Sequence, residues 1–392
     1  MRFASVLVFV AACGGAATKP SLPKPPTPAP AVPADDLAIA KGGAKPITGN
    51  SNVVVKDPRV VDLDIIRIRA PQPGEPDGGS VATADLFRLA NDAAKAGNTK
   101  DAIGRYRQIV TEFPESQYAP ISRFNIAALL DKQGDPTGTI SALHELIAAY
   151  PQSRESIEGH LYIAAIQSHA QQWADALTTL DAALARPNLM FADRVEAHAR
   201  RGYVLLEQHR YDDADVSLTT AIGEWRKAPR IDDTYYIAMA TYYAGEVAHR
   251  RFLEAPIRQP DNTLYSDLEA KRVLAVQAYD KWKGSLGHSH AYWGTAAGYQ
   301  MSHIFFELWE LTVKAPYPQK MAASARAQYV VEVHDRMRPH LKKALDGHRM
   351  NIELAKAYGV ETSWSKGSAV RAAQMFELLQ KDSAGDYLKP AN

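Results

Sequence analysis

From Asp85 onward, apolar and small residues recur at helical spacing. Ala102, Tyr106, Ile109 and Phe113 fall at i, i+4, i+7 and i+11, a single stripe along one face of a helix. The stripe returns three times. Thr139, Leu143, Leu146 and Tyr150 follow at a shift of 37; Ala176, Leu180, Ala183 and Pro187 follow 37 later; Ala214, Leu218, Ala221 and Trp225 follow after 38. Twelve residues before each stripe lies a small residue: Ala90, Ala127, Ala164 and Gly202. A small side chain there lets a preceding helix approach the stripe closely, so the pattern predicts four pairs of antiparallel helices. Pro114 and Pro151 close the second helix of the first two pairs.

Beyond Arg230 the periodic segments lengthen and the repeat blurs. The pattern predicts helices over 233–252, 266–283, 290–314, 321–358 with a break at Pro339, and 363–381, punctuated by Pro256, Pro260, Pro316, Pro318 and Gly359. These read as degenerate pairs ending in a cap, which a stack of repeats needs to cover its last apolar face. Aromatics concentrate here: Tyr235, Tyr236, Tyr242 and Tyr243, then Tyr292, Trp293, Tyr299, Phe305, Phe306 and Trp309. Their spacing of seven suits core positions, with an exposed assembly patch as the alternative.

The chain before Asp85 follows other rules. Lys19–Pro33 carries seven prolines in fifteen residues, a polyproline-II-prone spacer of roughly 45 Å. Val53–Pro71 is β-branched and partly alternating, which suggests one or two short strands that either pack on the helical body or pair with a partner. At the N-terminus, Arg2, an apolar run from Phe3 to Val10, and Ala11-Ala12 precede Cys13, the single cysteine of the 392 residues. The order of charge, apolar run and small residues is that of an export signal. Val10-Ala11-Ala12-Cys13 resembles the bacterial lipobox, with Val10 in the usual leucine position. That resemblance implies a lipid on Cys13, and Gly14 in place of Asp is similar to the sorting pattern of outer-membrane lipoproteins.

The helical pairs resemble the tetratricopeptide repeat: a helix with a small residue at the crossing, a turn, a second helix opening on Ala, and a closing Pro. LFRLANDAAKAGNTKDAIGRYRQIVTEFPES is the most faithful copy. The resemblance implies an all-α fold, a solenoid of helical hairpins wound into a superhelix, with four repeats over 83–228 and degenerate pairs plus a cap over 229–381. A signal over 1–12, a linker over 13–82 and a tail over 382–392 complete the organisation. The FP-ES and YP-QS endings are similar to repeats in the lipoprotein subunit of outer-membrane β-barrel assembly, in the Tol-Pal-associated periplasmic protein and in gliding-motility lipoproteins.

Such a superhelix lines its concave side with the first helix of each pair. One position off the core stripe, that wall would carry Phe87, Asn91, Phe124, Asn125, Tyr162, Arg200 and Tyr203. The asparagines could hold a peptide backbone, and the aromatics would supply contact area. Asn91 and Asn125 match the asparagines of repeats that clamp a peptide carboxylate, but Phe87, Glu158 and Tyr162 stand where that clamp has cations, so a carboxylate clamp is not expected. A one-residue error of phase would instead turn these side chains into core between repeats.

Composition narrows the chemistry. Lys+Arg 45 against Asp+Glu 44 gives a formal charge of +1, with no general electrostatic pull toward nucleic acid. Of the twelve histidines, His288 and His290 on a turn and His303 with Glu307 come nearest to a metal constellation; with no HExxH, structural roles are the better account. There is no GxSxG and no glycine-rich phosphate loop. Glu155-Ser156 resembles the Glu-Ser pair of lytic transglycosylases, whose later motifs are missing. The expectation is therefore a non-catalytic, lipid-anchored scaffold in the periplasm, without cofactor or metal, that binds envelope proteins or peptides. A small-molecule or glycan-binding accessory protein is the alternative, and a cell-wall hydrolase a distant third.

Overall fold

The computed structural model describes residues 80–388 except 229–230, 259–260, 318 and 320. The export signal, Cys13, the proline-rich spacer and the Val53–Pro71 segment lie outside the described residues. Among the described residues the secondary structure is entirely helical. The described residues fall into two compact units: one from residue 80 to 210 with 223–228, and one of 211–222 with the described residues from 231 to 388.

In the first unit the hairpins are α1 Ser80–Lys95 with α2 Thr99–Glu112, α3 Tyr118–Lys132 with α4 Pro136–Ala149, and α5 Arg154–His169 with α6 Trp173–Leu184; α7 Phe191–Glu207 follows. The repeated stripes are its core. Tyr106, Ile109, Leu143, Leu146, Leu180 and Ala183 are fully buried, as are Ala90, Ala127 and Ala164 at the crossings. Each hairpin turns in the same way. Gly97, Gly134, Gln171 and His209 all take left-handed backbone, at φ 79°, 78°, 59° and 58°, spaced by the repeat length. After each, the next amide bonds back five residues: Asn98 to Ala93 O, Asp135 to Leu130 O, Gln172 to Gln167 O and Arg210 to Leu205 O, at 2.8–3.1 Å. This is the left-handed helix ending that glycine makes cheapest. Successive hairpins are tied by turn-to-turn bonds at the same period: Tyr150 Oη donates to Pro114 O at 3.0 Å, and Asn188 Nδ2 to Gln152 O at 3.4 Å. The next helices start on local caps, Asp135 accepting from Gly138 N and Ser153 from Ser156 N.

α8 Tyr211–Lys227 carries the fourth stripe, with Ala214, Leu218 and Ala221 fully buried. Its residues 211–222 group with the second unit, where Arg251 reaches Asp212 at 2.6 Å and Asp215 at 2.8 Å.

The second unit holds longer helices: α9 Tyr235–Glu254, α10 Asp261–Leu286, α11 Ala291–Val313, α12 Arg326–Tyr358 and α13 Ser363–Ser383, each packed on its neighbour in sequence. The expected break at Pro339 does not occur; α12 runs through it. Val333, Met337, Leu341, Ala344 and Leu345 form one buried stripe across that point, and their burial holds the helix together despite the lost backbone donor. Helices meet closely at glycines. A methyl on Gly245 would stand 2.4 Å from Trp282 Cδ1, one on Gly298 2.3 Å from Asn351 Oδ1, and one on Gly347 2.5 Å from Ser302 Oγ. Of the clustered aromatics, Tyr235, Tyr242, Tyr292, Trp293, Tyr299 and Trp309 are buried, while Tyr236, Tyr243, Phe305 and Phe306 are half-buried.

Candidate functional site

The residues expected to line a groove sit on α1, α3, α5 and α7. Six of the seven are buried: Phe87, Asn91, Phe124, Asn125, Tyr162 and Tyr203. Phe87 lies against Tyr118 and Tyr106, ring centroids 4.9 and 5.8 Å away, and Phe124 against Tyr162 at 6.1 Å. Tyr203 meets Trp173 edge-on at 5.8 Å. Arg200 is partly buried and paired with Glu196 at 2.9 Å. In place of the expected open wall there is a packed layer. The cause is the composition of α3 and α5, which are apolar or small around nearly their whole circumference and are buried likewise.

Two polar sites are set into that layer. Tyr106 Oη donates to Asn91 Oδ1 at 2.5 Å, joining the first pair internally. Burial pushes the Tyr106 hydroxyl up to about 12, a rise the nearby Asn125 amide tempers. Asn125 is fully buried, yet neither of its amide atoms has a partner with hydrogen-bond geometry. On α5, burial and the negative charge of Asp131 raise the Tyr162 hydroxyl. Arg154 joins Glu158 at 3.0 Å and Asp193 at 2.6 Å, tying α5 to α7. His160, lowered chiefly by burial, stays neutral and donates Nδ1–H to Ser156 O at 2.8 Å.

The second unit contains a buried polar layer of which sequence reasoning saw one part, the His303–Glu307 pair. His249 Nε2 stands 2.8 Å from Glu307 Oε2, and His303 Nε2 3.9 Å from Glu307 Oε1. Gln300 Nε2 donates to Glu246 Oε1 at 2.9 Å, and Lys271 Nζ donates to Phe252 O at 2.5 Å. Burial opposes each charge. It raises Glu246 and brings Lys271 down to about 8, whereas the His249 cation holds Glu307 below the usual carboxylate range despite burial. The visible signal was Glu246 and His249 three apart on one helix; the partner helix was not visible. His290 caps α11, its Nδ1 accepting from Trp293 N at 3.4 Å. Among the described residues no three His, Cys, Asp or Glu side chains are placed to hold a metal. Glu155 and Ser156 open α5, and the Ser156 side chain is buried.

Residues 78–231 match the model of the tetratricopeptide repeat-like domain. Among solved structures the chain is similar to a tetratricopeptide repeat protein from Parabacteroides merdae, at 16% identity over 71% of this chain and 99% of that one, with a TM-score of 0.35. It is also similar to yeast Tom70, at 11% identity over 79% of this chain and 72% of that one, with a TM-score of 0.26. No curated protein matches it.

Proposed function

Taking the tetratricopeptide repeat-like domain over 78–231 as premise, we propose that the chain is a non-catalytic scaffold, anchored through a lipid on Cys13 to the outer membrane and presenting its helical pairs to proteins of the periplasm. The observation that carries this reading is the domain match together with the stack of hairpins built on one repeated core. Arrays of this kind extend surface in proportion to repeat number and serve as binding platforms. Anchoring is supported by the sequence alone: the sole cysteine follows an apolar run and two alanines, and a proline-rich spacer separates it from the helices. Because Asn91, Asn125 and Tyr203 are core residues, partners would be met by exposed side chains of the first unit, such as Leu89 on α1 and Met190 just before α7, 40% and 53% exposed.

Metabolic labelling with a fatty-acid analogue tests the anchor: wild type should be labelled and sediment with membranes, and Cys13→Ser should do neither. Equal labelling of the two removes the anchor. A photo-crosslinking residue at Leu89 or Met190, activated in native envelopes, should join the chain to discrete envelope proteins. If the anchored, folded protein forms no adduct from either position, the scaffold reading fails.

A further inference from the structure

His348 of α12 is fully buried where α12 and α13 meet α11. Its Nδ1 lies 3.2 Å from Ser368 Oγ, and that oxygen already accepts from Asn351 Nδ2 at 2.9 Å. A hydroxyl oxygen has two lone pairs and one proton, so Ser368 can pair with Nδ1 in either tautomer of the neutral ring. Nε2 is buried without a hydrogen-bond partner. The ring faces His303, centroids 6.1 Å apart, and Tyr299 at 5.1 Å. Arg371 of α13 donates to the Tyr299 hydroxyl at 3.2 Å beside the same rings. Glu307 of α11 lies 3.9 Å from His303 Nε2, with its other oxygen held by His249 of α9 at 2.8 Å. Further groups acting on this layer are Glu310 on α11, Glu246 and Arg250 on α9, and Lys271 with Asp267 on α10.

We propose that this seam is an acid-sensitive joint, in which proton binding by His348 and His303 parts the α12–α13 hairpin from α11. A second and third cation would be added beside Arg371, where neither α12 nor α13 supplies a countercharge. Burial lowers His348 to about 3 and lowers His303 as well, with Arg371 acting in the same direction on both. A histidine lowered in the closed state binds its proton in the open one, so its support is complete above about pH 6.5 and is lost as pH falls below that value. His249, raised by Glu307, works in the opposite sense and loses its support only as pH rises; Glu307, lowered, is lost below its ordinary 4.5. Glu246, raised, favours the closed state in acid and so opposes the opening. From pH 7.5 to 5 the closed-to-open ratio should fall about thirtyfold through His348 alone.

Amide hydrogen exchange of the full chain at pH 7.5 and 5.0, corrected for intrinsic rates, reads this directly. Protection across 326–383 should drop by about thirtyfold in acid. In His348→Gln, whose amide can still meet Ser368, the drop should shrink by that factor. Unchanged protection in wild type, or the same drop in both proteins, overturns the joint. Should His348→Gln not fold, Arg371→Gln keeps both histidines and removes the facing cation. Its loosening should then move to lower pH, and an unmoved midpoint also overturns the proposal.

Discussion

Replacing Gly245 with alanine sets two opposed effects against each other. In a helix interior the change by itself favours folding by about 0.5–1 kcal/mol, because glycine leaves the unfolded chain more freedom. Here the added Cβ would stand 2.4 Å from Trp282 Cδ1 and 2.5 Å from Nε1, where ordinary contact begins at 3.4 Å. One of the two helices must retreat by about 1 Å. The indole has nowhere to go, since it is fully buried with His249 edge-on at 5.3 Å. Overpacking of this kind costs about 1–3 kcal/mol, so the net should be a loss of about 1 kcal/mol, or roughly 2–4 °C in Tm. Gly284 lies on the same helix as Trp282 with nothing within 4 Å of a built Cβ. Gly284→Ala should therefore hold or raise Tm. Thermal melts followed by circular dichroism compare the two. If Gly245→Ala melts at or above wild type, α9 and α10 do not cross at that glycine and the packing of the second unit is misassigned.

Three further outcomes test the first unit. Tyr106→Phe should cost about 1–3 kcal/mol in urea unfolding by stranding the buried Asn91 oxygen; a neutral change would mean that bond is absent. Leu143→Ala, at a fully buried stripe position, should cost about 2–5 kcal/mol by the same measurement. Gln171→Gly should stabilise by up to ~1 kcal/mol, since φ of 59° suits glycine, whereas Gly134→Ala should destabilise by about as much.

The stripes were readable because their period is local: Ala102 predicts Tyr106 and Ile109 from chain geometry alone, and all three are fully buried. The register of Ala90, Ala127, Ala164 and Gly202 was readable for the same reason. The direction faced by Asn91, Asn125 and Tyr203 was not. A helix such as α3, small or apolar on every side, gives no contrast from which to fix its phase. The repeated turn was half visible, as Gly97 and Gly134, and then concealed by Gln171 and His209, which adopt the same backbone without the telltale residue. Pro339 misled because its local penalty is outweighed by burial on either side. The His249–Glu307 pair joins positions 58 apart on different helices, a distance over which single-sequence spacing carries no information.

The turn-to-turn bonds of the first unit close over 36 residues; the second unit has ties of 36 and 39 as well but adds others over 58, 66, 67 and 72. A chain made N-terminus first at about 5–20 residues per second could dock each hairpin of the first unit within roughly 2–7 seconds of its predecessor. Order would then grow behind the moving end of the chain, one hairpin at a time. The longer ties of the second unit keep no such schedule. Arg371, which contacts Tyr299, emerges 72 residues after it, so this side of α11 waits uncovered until α13 has been made.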